Sequence, residues 1–131
     1  MNTKVLMSIS AIVMGLTGLV LTFLPAEILV LTGGEQTHQT LLMLQLIGAL
    51  YFAFAMLNWM ARGNIIGGIY SRPIAIGNLT HFFMAGIGLL KSASHFASVF
   101  PWAMGVIYMS LALLFGLILY THPGKNPASG N

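Results

Sequence analysis

Four long apolar runs, none containing a charged residue, limit what this sequence can fold into. They cover residues 5–24, 41–61, 73–90 and 99–120. A helix needs about 20 apolar residues to cross the hydrocarbon of a bilayer. In that medium a helix satisfies its own backbone polar groups, so apolar composition outweighs the many β-branched residues. A lipid-facing β-barrel requires short alternating strands, and these runs do not alternate. Five basic and two acidic residues are the only charges among 131. A soluble domain of this length carries roughly thirty. The composition thus excludes a soluble globule and a disordered chain. It also excludes a nucleic-acid binder, because five dispersed basic residues form no patch. With no cysteine there is no disulfide framework, thiolate nucleophile or iron–sulfur site.

The first run follows Lys4 as a signal peptide would. It is longer than a signal core, and no small-x-small cleavage site follows it, so it reads as a retained helix. Lys4, Arg62, Arg72 and Lys125 fall on one side of the membrane, against Lys91 with Glu27 and Glu35 on the other. That asymmetry predicts both termini in the cytoplasm. Trp59 and Trp102 fall near opposite interfaces, where aromatic belts lie. Pro25 with Glu27 reads as a helix start and Gly33-Gly34 as its stop, which predicts a short interfacial helix over 25–31. Residues 63–70 read as a linker on the membrane surface. Residues 122–131, with two prolines and two glycines, read as a frayed cytoplasmic tail. Residues 1–121 then form a single transmembrane domain.

Two segments of the chain are alike. Gly48-Ala49-Leu50-Tyr51-Phe52-Ala53-Phe54-Ala55-Met56-Leu57 aligns with Gly105-Val106-Ile107-Tyr108-Met109-Ser110-Leu111-Ala112-Leu113-Leu114. Met14-Gly15-Leu16-Thr17-Gly18-Leu19 more weakly echoes Met84-Ala85-Gly86-Ile87-Gly88-Leu89. A hairpin duplicated in one orientation produces such a pattern, as does chance reuse of the few residue types that membrane helices favour.

Helical spacing puts Ser8, Ala11, Gly15, Gly18 and Thr22 on one stripe of the first span, a small-residue face suited to close packing. The second span aligns Gly48, Tyr51, Ala55, Asn58 and Arg62, the third Asn78, His81 and Ala85, and the fourth Gly105, Tyr108 and Ala112. At 1.5 Å per residue, His81, Tyr51 and Tyr108 all lie about nine or ten residues inside their spans, near the midplane. Ionisable residues at that depth are costly and face the bundle interior. One reading makes His81, Tyr51, Tyr108 and Asn78 a ligand-binding site or proton relay. The other makes them structural glue, with a neutral histidine bonded to a tyrosine hydroxyl. Asn58, Arg62 and Arg72 form a second group near the cytoplasmic interface. They are placed to hold a lipid headgroup or another anion, or simply to anchor the helix ends. Gln45 and Asn78 read as interhelical hydrogen-bond formers.

No HExxH, P-loop or GxSxG motif is present, and no catalytic residue is assigned. His38, His95 and His122 lie in loops or the tail, away from His81, so no metal site is expected. No cofactor is required by the sequence, although a quinone or a lipid would suit the apolar bundle.

The pattern GALYFAFAMLNW, the short basic linker ending in Arg72-Pro73 and the glycine-rich third span resemble the small four-span membrane proteins of the DoxX-like group and allied families. The resemblance implies a compact four-helix bundle in a bacterial inner membrane. It also implies a connection with redox partners or with the assembly of other membrane proteins, and it assigns no functional residue.

The expected fold is an all-α, up-down-up-down transmembrane four-helix bundle, with two duplicated hairpins as the reading the repeat invites. The leading functional expectation is a non-enzymatic protein that acts through other membrane proteins or as a homo-oligomer, with membrane lipids as its surroundings. The alternative is a bundle that binds a quinone or lipid, or relays protons, at the His81 cluster. A third is an oligomeric pore or transporter.

Overall fold

In a computed structural model the described residues are 3–63, 71–96 and 98–121. Of the linker read from sequence over 63–70 only Gly63 is among them, and the tail at 122–131 lies outside them. Among the described residues all regular structure is helical: α1 (Thr3–Phe23), α2 (Pro25–Thr32), α3 (His38–Ala61), α4 (Arg72–Ser92), a 3-10 turn (Ala93–His95) and α5 (Phe100–Thr121). The four long helices have 21 to 24 residues. At 1.5 Å per residue they span about 31–36 Å, enough to cross a bilayer core. Four helices are long and apolar enough to do so, as the four runs predict. Large apolar side chains point outward along their whole length; Leu16, Leu50 and Leu113 are all at least 60% exposed. A water-soluble monomer does not carry apolar surface on that scale, so this is the surface of a multi-pass membrane protein.

The short elements follow from local chemistry. Pro25 occupies the first turn of α2 with Glu27 beside it, where a missing amide costs nothing and an acid meets the positive helix end. The expected helix over 25–31 is therefore present, one residue longer. Gly33 ends it in the left-handed region (φ 70°), and its amide and that of Gly34 return to the carbonyls of Val30 and Leu29. That conformation favours glycine. Thr37 then opens α3 with a capping box: its hydroxyl accepts from the Thr40 amide at 3.1 Å, and its own amide donates to the Thr40 hydroxyl at 3.0 Å. Two threonines thus play the roles usually taken by serine and glutamate.

The helices pack as two antiparallel hairpins, α1 with α3 and α4 with α5. In the first, Gly18 and Gly48 bring the two backbones together: a Cβ on Gly18 would meet Phe52 N at 2.7 Å and Gly48 O at 2.8 Å. In the second, a Cβ on Gly105 would meet Leu90, and one on Gly86 would meet Met109. Small residues let helices approach closely where the hydrophobic effect does not drive them together. The expected stripe on α1 is shifted slightly. Leu6, Met7, Ser10, Ala11, Met14 and Gly18 are buried, whereas Ser8 turns outward and donates to Lys4 O. Gly48 and Gly105, which the repeat equates, occupy matching places in the two hairpins. The weaker match does not carry over, since Gly88 faces open space and Gly86 makes the close approach.

Candidate functional site

The sequence-predicted residues converge at the centre of the bundle. His81 of α4 lies edge-on to the Tyr51 ring of α3 (centroids 4.9 Å apart, 79°) and stacks on Phe54 (5.5 Å, 25°). Tyr108 of α5 stacks on Tyr51 at 6.4 Å and meets Phe82 edge-on at 5.2 Å. Phe82 continues the cluster to Phe115 at 6.0 Å. Offset and edge-to-face arrangements of this kind add about 0.5–1.5 kcal/mol per pair beyond burial. Thr17 of α1 donates to Val13 O at 2.9 Å. The Nε2 of His81 is buried without a hydrogen-bond partner. Ring contacts hold this histidine, in place of the expected bond to a tyrosine hydroxyl.

Asn78 belongs to a different group from His81. It turns to Asn58, and the two amides pair reciprocally, each Nδ2 donating to the other's Oδ1 at 2.6 Å. Asn78 also donates to Ile74 O at 2.9 Å, and Asn58 donates to Ser10 Oγ at 3.2 Å. Ser10 in turn donates to Met7 O at 3.0 Å. All three polar side chains are fully buried, and each finds partners, as buried polar groups must. This network ties α1, α3 and α4 together near the end of the bundle where the chain begins. Asn58 therefore faces the bundle interior and does not join Arg62 and Arg72 as expected. The Arg62 guanidinium lies over the Trp59 indole, its carbon 3.4 Å from the ring centroid, a cation–π contact. Arg72 is exposed. Gln45, expected to bond across helices, points out of the bundle on α3.

The other end of the bundle, beneath α2, is not filled. A cavity of about 490 Å³ lies between the two hairpins. Val13, Leu16, Thr17 and Val20 of α1 form one wall, Met104 and Ile107 of α5 the other. Ile28 and Thr32 of α2 roof it, while Tyr51 and Tyr108 close its deep end. None of its lining residues is charged. α1 and α5 barely touch, so the cavity opens sideways between them. A depression of about 320 Å³ on the outside of α4 and α5 is lined only by apolar residues and glycine. Among the described residues no three potential metal ligands come together.

Sequence reasoning found Tyr51, Tyr108 and His81 by depth and facing, but missed Ser10, Thr17, Phe82 and the cavity itself. Ser10 falls three residues after Met7 and four before Met14, the helical repeat of the buried face. Its register was a usable signal. The cavity had none, because a gap between helices arises from how hairpins dock and not from any one residue. No family model, curated protein or solved structure matches the chain.

Proposed function

We propose that this protein is a multi-pass component of a bacterial inner membrane, with both termini in the cytoplasm, whose bundle binds a hydrophobic ligand such as a quinone or a lipid. Membership of the DoxX-like group is proposed on the GALYFAFAMLNW pattern, the short basic linker ending in Arg72-Pro73 and the glycine-rich third span. The cavity between α1 and α5 is the observation that carries the ligand reading. It has the volume of a small-molecule site, apolar walls and a few polar groups at one end. The test is organic extraction of the purified protein followed by mass spectrometry, beside Met104→Trp, which fills one wall. The parent retains a near-stoichiometric molecule that the variant lacks. If both carry the same lipids in the same amounts, the reading falls.

A second reading, action as a homo-oligomer or through other membrane proteins, is favoured by Gln45. Its amide faces outward about seven residues into α3, with the exposed Ala49 and Ala53 one and two turns further on the same stripe. An amide both donates and accepts, so two copies of this face satisfy each other, and the alanines permit close approach. Native mass spectrometry in mild detergent separates the cases. Gln45→Leu shifts a dimer toward monomer under this reading, and a parent that is already strictly monomeric rules it out.

A further inference from the structure

The ligand reading leaves the chemical class of the occupant open, and the distribution of polarity in the cavity narrows it. Fifteen residues line the cavity and none is ionisable in the acid, lysine, arginine or histidine sense. A charged headgroup placed there would be desolvated without a counter-charge, which is prohibitively costly. The hydroxyls are unevenly placed. Thr17, Tyr51 and Tyr108 gather at the deep end, around mid-depth, whereas the roof offers only Thr32, whose hydroxyl donates to Ile28 O at 2.8 Å. A phospholipid occupies a leaflet the other way round, with its charged group at the interface and its methyl ends at mid-depth. Its methyl ends would lie against the three hydroxyls, and its headgroup under α2 would meet no charge. Access matches a ligand from the lipid phase: α2 roofs the end of the cavity, and the apolar, exposed Leu16 of α1 and Ile107 of α5 flank its open side. His81 is not among the lining residues, and its Nε2 is buried without a hydrogen-bond partner, so it is not a ligand contact.

Resting on the ligand reading above, we infer that the site takes a neutral, chain-bearing compound with a carbonyl or hydroxyl end, inserted laterally with that end toward the midplane against Tyr51, Tyr108 and Thr17. An isoprenoid-type quinone and a neutral glyceride share this chemistry. The Tyr108 hydroxyl donates to the ligand oxygen and Thr17 keeps its bond to Val13 O. The apolar part fills the space between α1 and α5 up to Ile28.

The experiment uses the full-length protein in detergent and native mass spectrometry, with three probes: decylubiquinone, dioleoylglycerol and the anionic dioleoylphosphatidylglycerol. Three variants accompany the parent: Val13→Trp, which fills the cavity wall, the double variant Tyr51→Phe/Tyr108→Phe, and Thr17→Val. Thermal melting reports their folding. At least one neutral probe binds the parent, and which one identifies the source, carbonyl or hydroxyl. Val13→Trp abolishes that binding. The double phenylalanine variant weakens it about tenfold, the effect of one lost hydrogen bond. Thr17→Val, which removes an oxygen that can only accept, weakens binding of the hydroxyl-bearing probe alone. The anionic lipid is indifferent to all three changes. Should the double variant be too unstable to measure, Tyr108→Phe alone decides by the same criterion. If Val13→Trp weakens binding but removal of the hydroxyls does not, the cavity is a ligand site and the inferred orientation is wrong. If the anionic lipid competes as well as the neutral probes, the inferred class is wrong. If no neutral probe binds the parent, the inference also fails. If Val13→Trp alters nothing for any bound probe, the ligand reading falls and takes the inference with it.

Discussion

Asn58 of α3 and Asn78 of α4 hold each other through two antiparallel amide bonds of 2.6 Å, with no exposure to the surroundings. Neither hairpin contains both residues, so the pair is a polar tie between the two halves of the molecule. Hydrogen bonds between membrane helices contribute on average about 0.6 kcal/mol and at most about 1.7. A single change here costs more, because it strands the remaining buried amide.

Asn78→Leu is expected to lower stability by about 1–3 kcal/mol, and the double change Asn58→Leu/Asn78→Leu by less than the sum of the two singles. Reversible unfolding in mixed micelles measures the cycle. Additive effects would show that the two amides are not coupled.

The glycines divide by what a methyl group would meet. Gly48→Ala pushes a Cβ against Thr22 N at 2.7 Å and Gly18 O at 2.8 Å, both backbone atoms that cannot step aside. It is expected to cost about 1–3 kcal/mol by forcing α1 and α3 apart. Gly88→Ala enters open space and is expected to be neutral or stabilising by up to about 1 kcal/mol through helix propensity. Equal effects in the same unfolding assay would contradict the packing described.

His81→Phe removes a buried nitrogen that has no partner and keeps a ring among Tyr51, Phe54, Phe82 and Tyr108. Stability is expected to hold or to rise by about 1 kcal/mol, with ligand retention unchanged. A drop in melting temperature of several degrees would mean that the imidazole makes a bond the ring contacts do not account for.

The orientation is open to direct labelling, because the chain contains no cysteine. Glu35→Cys is expected to react with a membrane-impermeant maleimide added to intact spheroplasts, and Gly63→Cys only after permeabilisation. Both positions are exposed. The reverse pattern inverts the topology drawn from the lysines and arginines.

The sequence made the four spans legible because hydrocarbon imposes one rule on the whole chain. Length and absence of charge carry that rule without any tertiary knowledge. The convergence of Tyr51, Tyr108 and His81 was legible for a related reason, since depth is proportional to residue count along a helix. The partner of Asn58 was not. Its place on a stripe ending at Arg62 suggested the interface, but hydrogen bonding depends on which helix faces it, and that choice is made by the docking of α4. Gln45 shows the converse: a polar residue inside a span reads as an internal bond former, yet its azimuth on α3 turns it outward. Ring packing around His81 likewise depends on Phe54 and Phe82, which look like ordinary lipid-facing residues in one dimension.

The connection from α2 to α3 is tied at both of its ends, by Gly33 on one side and by the Thr37–Thr40 box on the other. The roof residues Ile28 and Thr32 therefore belong with the first hairpin, whereas Met104 and Ile107 of the opposite wall belong to the second. The width of the cavity is thus set by how the two hairpins sit against each other, and the Asn58–Asn78 pair is the polar bond that fixes that relation.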